Sequence, residues 1–400
     1  MDEFGFVKLK DVCTFYTGTG FPTKYQGRER GKYPFYKVGD ISKNAQAGNK
    51  YLQLCDNFVD DEDVVAIKGN IIPSNTIVFA KIGEAVKLNR RAITETSCLV
   101  DNNVMGIAPD ESEMSLDYFY YFMRNFKMET LAESTTVPSV RKSRLEELKI
   151  QVPTLDIQEI ICKKLNSTER IMVKRRQQLE ELDMLIKARF VELFGDPNTN
   201  PHSYPTAEFG TVLIVEPQNG LYKPQSDYVT DGNGIPILRI DGFYNGKVTD
   251  FRTLKRLICS EDDIKRYELH ENDIVINRVN SIEYLGKCGL IQGLVEKTVF
   301  ESNMMRLHVD ESKLNPCYIS HFLCSQYIYQ QILKRAKKSV NQASINQKDV
   351  QSFVICIPPI ELQTQFADFV TQVDKLKVEV QKSLDKLQML FDSLMQRYFG

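Results

Sequence analysis

Hydrophobic positions follow two alternating regimes along this chain. From Gln365 to Tyr398 they recur at alternating spacings of four and three: Phe366, Val370, Val373, then Lys377, then Val380, Leu384, Leu387, Phe391, Leu394 and Tyr398. Nine of these ten are apolar or aromatic, which is the seam of a coiled-coil helix rather than the broad face of a surface helix. Subtracting 205 gives Ile161, Leu165, Thr168, Met172, Arg175, Leu179, Leu182, Ile186, Arg189 and Leu193, of which seven are apolar. Pro153 and Pro358-Pro359 precede the two helices, and Gly195 and Gly400 follow them, as helix starts and stops require. Roughly 38 helical residues extend about 57 Å, and such a seam cannot stay exposed to water. Equal length and register favour pairing of the two helices with each other within the chain, antiparallel (pseudo-twofold) in preference to parallel. Packing of each helix on its own globular segment is the alternative.

The shift of 205 holds without a gap from Ser139 to Gly195. It carries Ser139 to Ser344, Ile150 to Ile355, Pro153 to Pro358, Gln158 to Gln363 and Phe194-Gly195 to Phe399-Gly400. Upstream the match is weaker and the shift nearer 200, pairing Val12 with Val212, Gly20 with Gly220, Asn103 with Asn303 and Met105 with Met305. The chain is an internal repeat in four parts: a globular segment over 1–152, a helix over 153–195, a second globular segment over 196–357 and a second helix over 358–400. A duplication that keeps the helices and lets the globular parts drift suggests common support for two different recognition surfaces. A duplicated scaffold with no function implied is the plainer reading.

Within the globular parts, Phe35–Val38 and Ile237–Ile240 each follow a proline and alternate as strands do, and Ile77–Ala80 and Ile274–Ile276 open after turns. Aromatic helices are predicted over 116–126 and 318–333. The class is α+β: two strand-rich globular domains alternating with two long helices.

Composition narrows the function. The 400 residues are 42% hydrophobic, and 51 basic against 53 acidic side chains leave a net charge of −2. Binding of nucleic acid by bulk charge is excluded, and local basic patches are not. Nine scattered cysteines include no C-x-x-C pair, and four histidines form no i, i+4 pair, so neither a disulfide framework nor a zinc site is indicated. The amino end, Met1-Asp2-Glu3-Phe4, carries acids where a secretory signal needs bases, and no apolar stretch approaches the ~18 residues of a membrane span. A soluble, reduced, cytoplasmic protein is expected. Gly242 to Lys247 has three residues where a phosphate-binding loop needs four, and Gly18-Thr19-Gly20 lacks the third glycine of a dinucleotide fingerprint. No Asn/Asp-Pro-Pro-Tyr/Phe tetrapeptide is present, and no nucleophile–base constellation can be assembled. Nothing suggests that the chain performs chemistry itself.

The loops carry the candidate binding chemistry. Lys24 follows Gly18-Thr19-Gly20, and the corresponding second loop carries Tyr222 and Lys223. Lys81, Lys87, Arg90 and Arg91 lie past the Ile77 strand, Arg239 past the Ile237 strand, and Asn277 and Arg278 past the Ile274 strand. The densest basic run, Lys334 to Gln342 with Lys337 and Lys338, contains no acid. Ser139 to Arg144, with Arg141 and Lys142, reads as its counterpart. Lysine and arginine supply phosphate contacts, while Arg, Asn, Gln and Ser/Thr can read base edges. Any one such cluster is more often a solvated face than a DNA contact; recurrence at equivalent places in both copies brings the two readings level. The residues expected to touch DNA are Lys24, Lys81, Arg90, Arg141, Lys142, Tyr222, Lys223, Arg239, Asn277, Arg278, Lys337 and Lys338.

Together these features resemble the DNA-specificity subunits of type I restriction–modification systems. The residues that carry the likeness are Ile150-Gln151-Val152-Pro153 and Ile355-Cys356-Ile357-Pro358, each followed by an acid, a gap and Gln (Asp156-Ile157-Gln158; Glu361-Leu362-Gln363). Leu193 to Pro197, Lys8 to Val12 and Gly39-Asp40-Ile41 add to it. The resemblance implies a non-catalytic subunit whose two target-recognition domains each read one half of a split, asymmetric double-stranded DNA sequence, with an antiparallel coiled coil setting their spacing. It implies two methyltransferase subunits docked on the helices, restriction subunits joining them where present, and S-adenosylmethionine, ATP and Mg²⁺ held by those partners rather than by this chain. A structural adaptor with a helical spacer is the reading from another class. A specificity module detached from a combined methylase–endonuclease differs only in its partners.

Overall fold

In the computed structural model, residues 5–132, 138–230, 232–244, 246–248 and 250–400 are described; the Met1–Phe4 stretch discussed above lies outside them. The chain forms two compact units, one of Met1–Arg176 with Lys382–Gly400, the other of Gln177–Gln381. The helix Leu155–Phe194 gives its first part to unit 1 and its last part to unit 2, and Ile360–Phe399 does so in the opposite order.

In unit 1, an antiparallel sheet runs Cys13–Thr17, Val104–Pro109, Ile77–Ala80, Arg91–Ile93. Ile77–Ala80 is buried throughout, which explains its unbroken apolar run. A second sheet places Tyr33–Tyr36 between Phe58–Val59 and Leu99–Val100. This strand begins before Pro34 rather than after it and stops at Tyr36. Lys37 and Val38 leave it because Asp40 accepts the Lys37 N–H at 2.8 Å and starts the helix Val38–Gln46.

Unit 2 repeats the plan with additions. Among its described residues a sheet runs Leu213–Asn219, Met304–Val309, Ile274–Asn277, Cys288–Leu290, Gly246–Val248, Phe243–Tyr244. Another places Ile235–Leu238 between Arg256–Leu257 and Val299–Phe300, again including its proline and stopping before Arg239. The aromatic helix expected over 318–333 is two helices, Pro316–Leu323 and Gln326–Arg335. Ser325 divides them, its hydroxyl accepting the Ile328 N–H as an N-cap.

The helices pair antiparallel inside each unit. In unit 1, Lys164 Nζ lies 3.5 Å from the Tyr398 hydroxyl, and Arg124 bridges Glu169 and the Phe391 ring. In unit 2, Lys377 pairs with Asp183, and Phe190 lies 5.4 Å from Phe366. Of the seam positions, Ile161, Leu165, Met172, Ile186, Phe366, Val370, Val373, Val380 and Phe391 are buried, while Leu179, Leu182, Leu193, Leu384, Leu387 and Leu394 are half-buried. At the end of the first helix the inward face runs through Phe190 and Phe194, which the strict 4-3 pattern passes over. Arg189 instead pairs with Glu192 at 2.9 Å and sits 5.7 Å from the Phe369 ring. Phe190 also stacks on Tyr318 (5.7 Å, 9°), and Phe194 meets Tyr318 edge-on at 4.6 Å. Helix pairing and packing on the globular segment are therefore not alternatives; the same aromatic side chains do both.

The repeated Gln locks each junction. Gln158, wholly buried, accepts the Ser115 N–H (2.8 Å) and donates to Glu113 O (2.8 Å) and Pro153 O (2.7 Å). Gln363 accepts the Asn315 N–H (2.7 Å) and donates to Lys313 O (3.1 Å) and Pro358 O (2.7 Å). Tyr118 and Tyr318 complete the pair of junctions, donating to Gln151 O (2.9 Å) and Cys356 O (3.0 Å).

Candidate nucleic-acid interface

Several segments of unit 2 converge on the turn Glu301-Ser302-Asn303, between the strands Val299–Phe300 and Met304–Val309. Leu221 N–H donates to Phe300 O (2.8 Å) and Ser302 N–H to Leu221 O (2.9 Å), which brings Tyr222 alongside. Glu301 N–H donates to Leu238 O (3.0 Å), placing the Arg239 guanidinium 3.7 Å from the Glu301 carboxylate and 5.6 Å from the Tyr228 ring. Burial pushes the Glu301 carboxyl above its ordinary range, and Arg239 opposes that shift. Arg278 N–H donates to Asn303 O (2.8 Å), and its guanidinium to Ser302 O (3.1 Å). Ile345 N–H donates to Arg278 O (3.0 Å), which ties in the hairpin of Lys337–Lys338 and Ala343–Ser344.

Tyr222, Arg239, Arg278, Lys337 and Lys338 thus share one region. Tyr222, Lys337 and Lys338 are exposed, whereas Lys223 spends its charge on Asp263 at 2.9 Å. Asn277 must be corrected. It is the last residue of its strand, its side chain is 0% exposed, and its amide reaches toward Tyr284 O. Its strand, Ile274–Asn277, is buried at every position, so the surface begins only beyond it, at Arg278.

Unit 1 builds the same geometry around Asp101-Asn102-Asn103. Thr19 N–H donates to Val100 O, Lys81 N–H to Asn103 O and Val140 N–H to Lys81 O, all at 2.8 Å. Lys81 therefore stands where Arg278 stands. Lys24 is exposed, 4.6 Å from the Tyr25 ring, on an open cleft of about 470 Å³ shared with Phe21, Tyr25 and Asn102. Arg90 directly precedes Arg91, the strand residue that pairs with Phe79. Its neighbour Arg91 is framework: buried, and donating to Asn89 and to Phe126 O. Lys87 pairs with Glu84 at 2.8 Å.

Two correspondences change. Ser139 bridges Ile82 as Ser344 pairs with Val279. Arg141, the N-cap of Lys142–Glu146, therefore matches Asn346, the N-cap of Gln347–Gln351. The two basic runs are not counterparts: the Lys337 hairpin corresponds to residues ahead of Ser139, of which 133–137 lie outside the described residues. Lys142 is exposed, 3.5 Å from Glu146 and 5.8 Å from the Phe15 ring. The uniform shift of 205 could itself have revealed the mismatch.

Gly18, not Gly20, matches Gly220. A Cβ on Gly220 would lie 2.4 Å from Glu301 O, and one on Gly18 would strike Asp101 O, whereas Gly20 faces open space. Gly220→Ala should destabilise unit 2 by about 1–3 kcal/mol and displace the Tyr222 loop. Thermal unfolding together with hydrogen exchange over residues 219–224 checks this; unchanged exchange there would refute it.

No helix among the described residues is long and apolar enough to cross a membrane, and no group of three metal-ligating side chains is found among them. Two recognition-type surfaces on a duplicated framework with antiparallel helices define the class, and comparison with known proteins places it. The family model described as the type I restriction modification DNA specificity domain matches residues 1–182 and 211–388, and the chain belongs to that family. It is 25% identical over 291 residues to the type I restriction enzyme EcoKI specificity subunit of Escherichia coli K12, covering 68% of this chain and 61% of that one. It is 29% identical over 200 residues to the putative MjaX specificity subunit of Methanocaldococcus jannaschii, covering 50% and 46%. The matches thus span under two thirds of those relatives. The S subunit of a type I restriction–modification system from M. genitalium shares the fold, with a TM-score of 0.57 at 15% identity, over 100% of this chain and 97% of that one.

Proposed function

We propose that this chain is the non-catalytic subunit that reads DNA for a type I restriction–modification complex, each unit recognising one half of a split target. The observation that carries the reading is the shared turn geometry: one framework presents Lys81 with Lys24 in unit 1, and Arg278 with Tyr222, Lys337 and Lys338 in unit 2. The long helices set the separation of the half-targets. Two methyltransferase subunits dock on their exposed apolar positions, among them Ile171, Val173, Met184, Leu185, Leu376, Val378, Met389 and Leu390, and restriction subunits join where present. S-adenosylmethionine, ATP and Mg²⁺ belong to those partners, and the complex works in the cytoplasm.

Co-expression with the cognate adenine methyltransferase subunit should methylate a split motif with a fixed gap, and exchanging residues 1–150 should change one half only. No methylation from an assembled complex that binds S-adenosylmethionine would favour an adaptor instead. Salt dependence is a second check. Replacing Arg278, Lys337 and Lys338 together by alanine should flatten the log–log salt slope of DNA binding by roughly 0.9 for each phosphate that is no longer neutralised. An unchanged slope and affinity would remove these residues from the interface.

A further inference from the structure

We propose that the tip of the Lys337–Ser344 hairpin enters the major groove and that Val340 there selects a thymine, through its 5-methyl group, in the half-target of unit 2. The inference rests on the DNA-reading function argued above and assigns that function a base-selecting residue. Val340 is 98% exposed, against 78% for Tyr222. A bare apolar side chain on a ribbon without acids is poorly placed for solubility and well placed for contact.

The ribbon is held at its base and free at its tip. Ala343 is buried and pairs with Asn280, Ser344 pairs with Val279, and Lys337–Lys338 pairs back onto the same strand. Ser339 N–H and hydroxyl both donate to Gln342 O, at 2.8 and 3.1 Å, so Val340 and Asn341 form the centre of the turn. Among the described residues, the side-chain amides of Asn341 and Gln342 have no protein partner.

Charge fixes how such a ribbon can meet a duplex. Lys337 and Lys338 are both exposed and, as successive strand residues, project to opposite faces, one toward each phosphate wall of a groove. Glu283 lines the same cleft of about 300 Å³ as Lys338 and the turn residues Ser339 to Gln342, and its carboxyl is held below its ordinary range by hydrogen bonds accepted from its own backbone N–H and from Ser281. With one lysine directed to each phosphate wall, the turn between the two strands faces the bases. The major groove admits a two-stranded ribbon, the thymine methyl projects into it, and Asn or Gln pairs with the adenine edge beside that methyl. Val340 with Asn341 or Gln342 is thus suited to an A·T pair.

The test uses the complex with its methyltransferase subunit and duplexes carrying the mapped target. Each thymine of the unit 2 half is replaced in turn by deoxyuridine, which removes only the methyl. At one position the unaltered complex should lose affinity about three- to ten-fold. Val340→Ala should show the same loss on the thymine duplex and be indifferent to uridine there. Val340 is outside the core, so the substitution leaves folding intact. The assignment is overturned if no uridine duplex binds more weakly, if the half-target contains no thymine, or if Val340→Ala keeps its sensitivity to uridine. Absence of any split target would instead overturn the DNA-reading function itself.

Discussion

Replacing Phe366 by alanine should lower the stability of unit 2 by about 3–5 kcal/mol, the range for emptying a buried phenylalanine site. Phe366 is wholly enclosed, with Phe190 and Phe194 edge-on at 5.4 and 5.6 Å and His321 at 5.2 Å. These rings hold one helix to the other and both to the globular part, so no single neighbour can collapse into the space. The chain contains no tryptophan, so urea unfolding is best followed by far-ultraviolet circular dichroism, with hydrogen exchange locating the loss. Protection should fall over residues 360–381 and 186–194. A change below about 1 kcal/mol, well under that range, would show that the aromatic cluster does not hold unit 2 together.

Gln363→Leu should cost at least as much, about 3–9 kcal/mol. The substitution keeps the volume but strands the Asn315 N–H and the Lys313 and Pro358 carbonyls, at about 1–3 kcal/mol for each unsatisfied group. Gln158→Leu should do the same in unit 1, where Ser115, Glu113 and Pro153 lose their partner. Because the two junctions have separate partners, the two losses should add within about 0.5 kcal/mol. Denaturant midpoints of the two single variants and the double variant test this. If either single variant is neutral, its glutamine is not a clamp.

The long helices were legible because a seam repeated over five heptads, twice, leaves little room for another structure. Gln158 and Gln363 stood out as repeated residues, yet their role was not: hydrogen bonds to main-chain groups 43 to 50 residues away leave no local pattern. The recognition loops were legible only as composition. Sequence proximity put Asn277 beside Arg278 at the surface, whereas its strand is buried to its last residue. It also paired Gly20 with Gly220, since the shift upstream changes with each insertion and only close contact with a carbonyl identifies Gly18. Phe190 and Phe194 escaped the seam because they face Tyr318 of the globular segment as well as Phe366 of the other helix, and a heptad count includes only the second.

The division of the helices between units has a consequence for synthesis. Unit 2 is one uninterrupted stretch, Gln177–Gln381, whereas unit 1 joins Met1–Arg176 to Lys382–Gly400. On the ribosome, the unit translated second is the first to have all its residues. The unit translated first waits for Lys382–Gly400, holding Ile161, Leu165 and Met172 without Phe391 and Met395 until they emerge. From the synthesis of Met172 until Phe391 and Met395 emerge, the nascent chain therefore carries an apolar stripe that lacks part of its cover, and unit 1 can close only after the whole of unit 2 has been made.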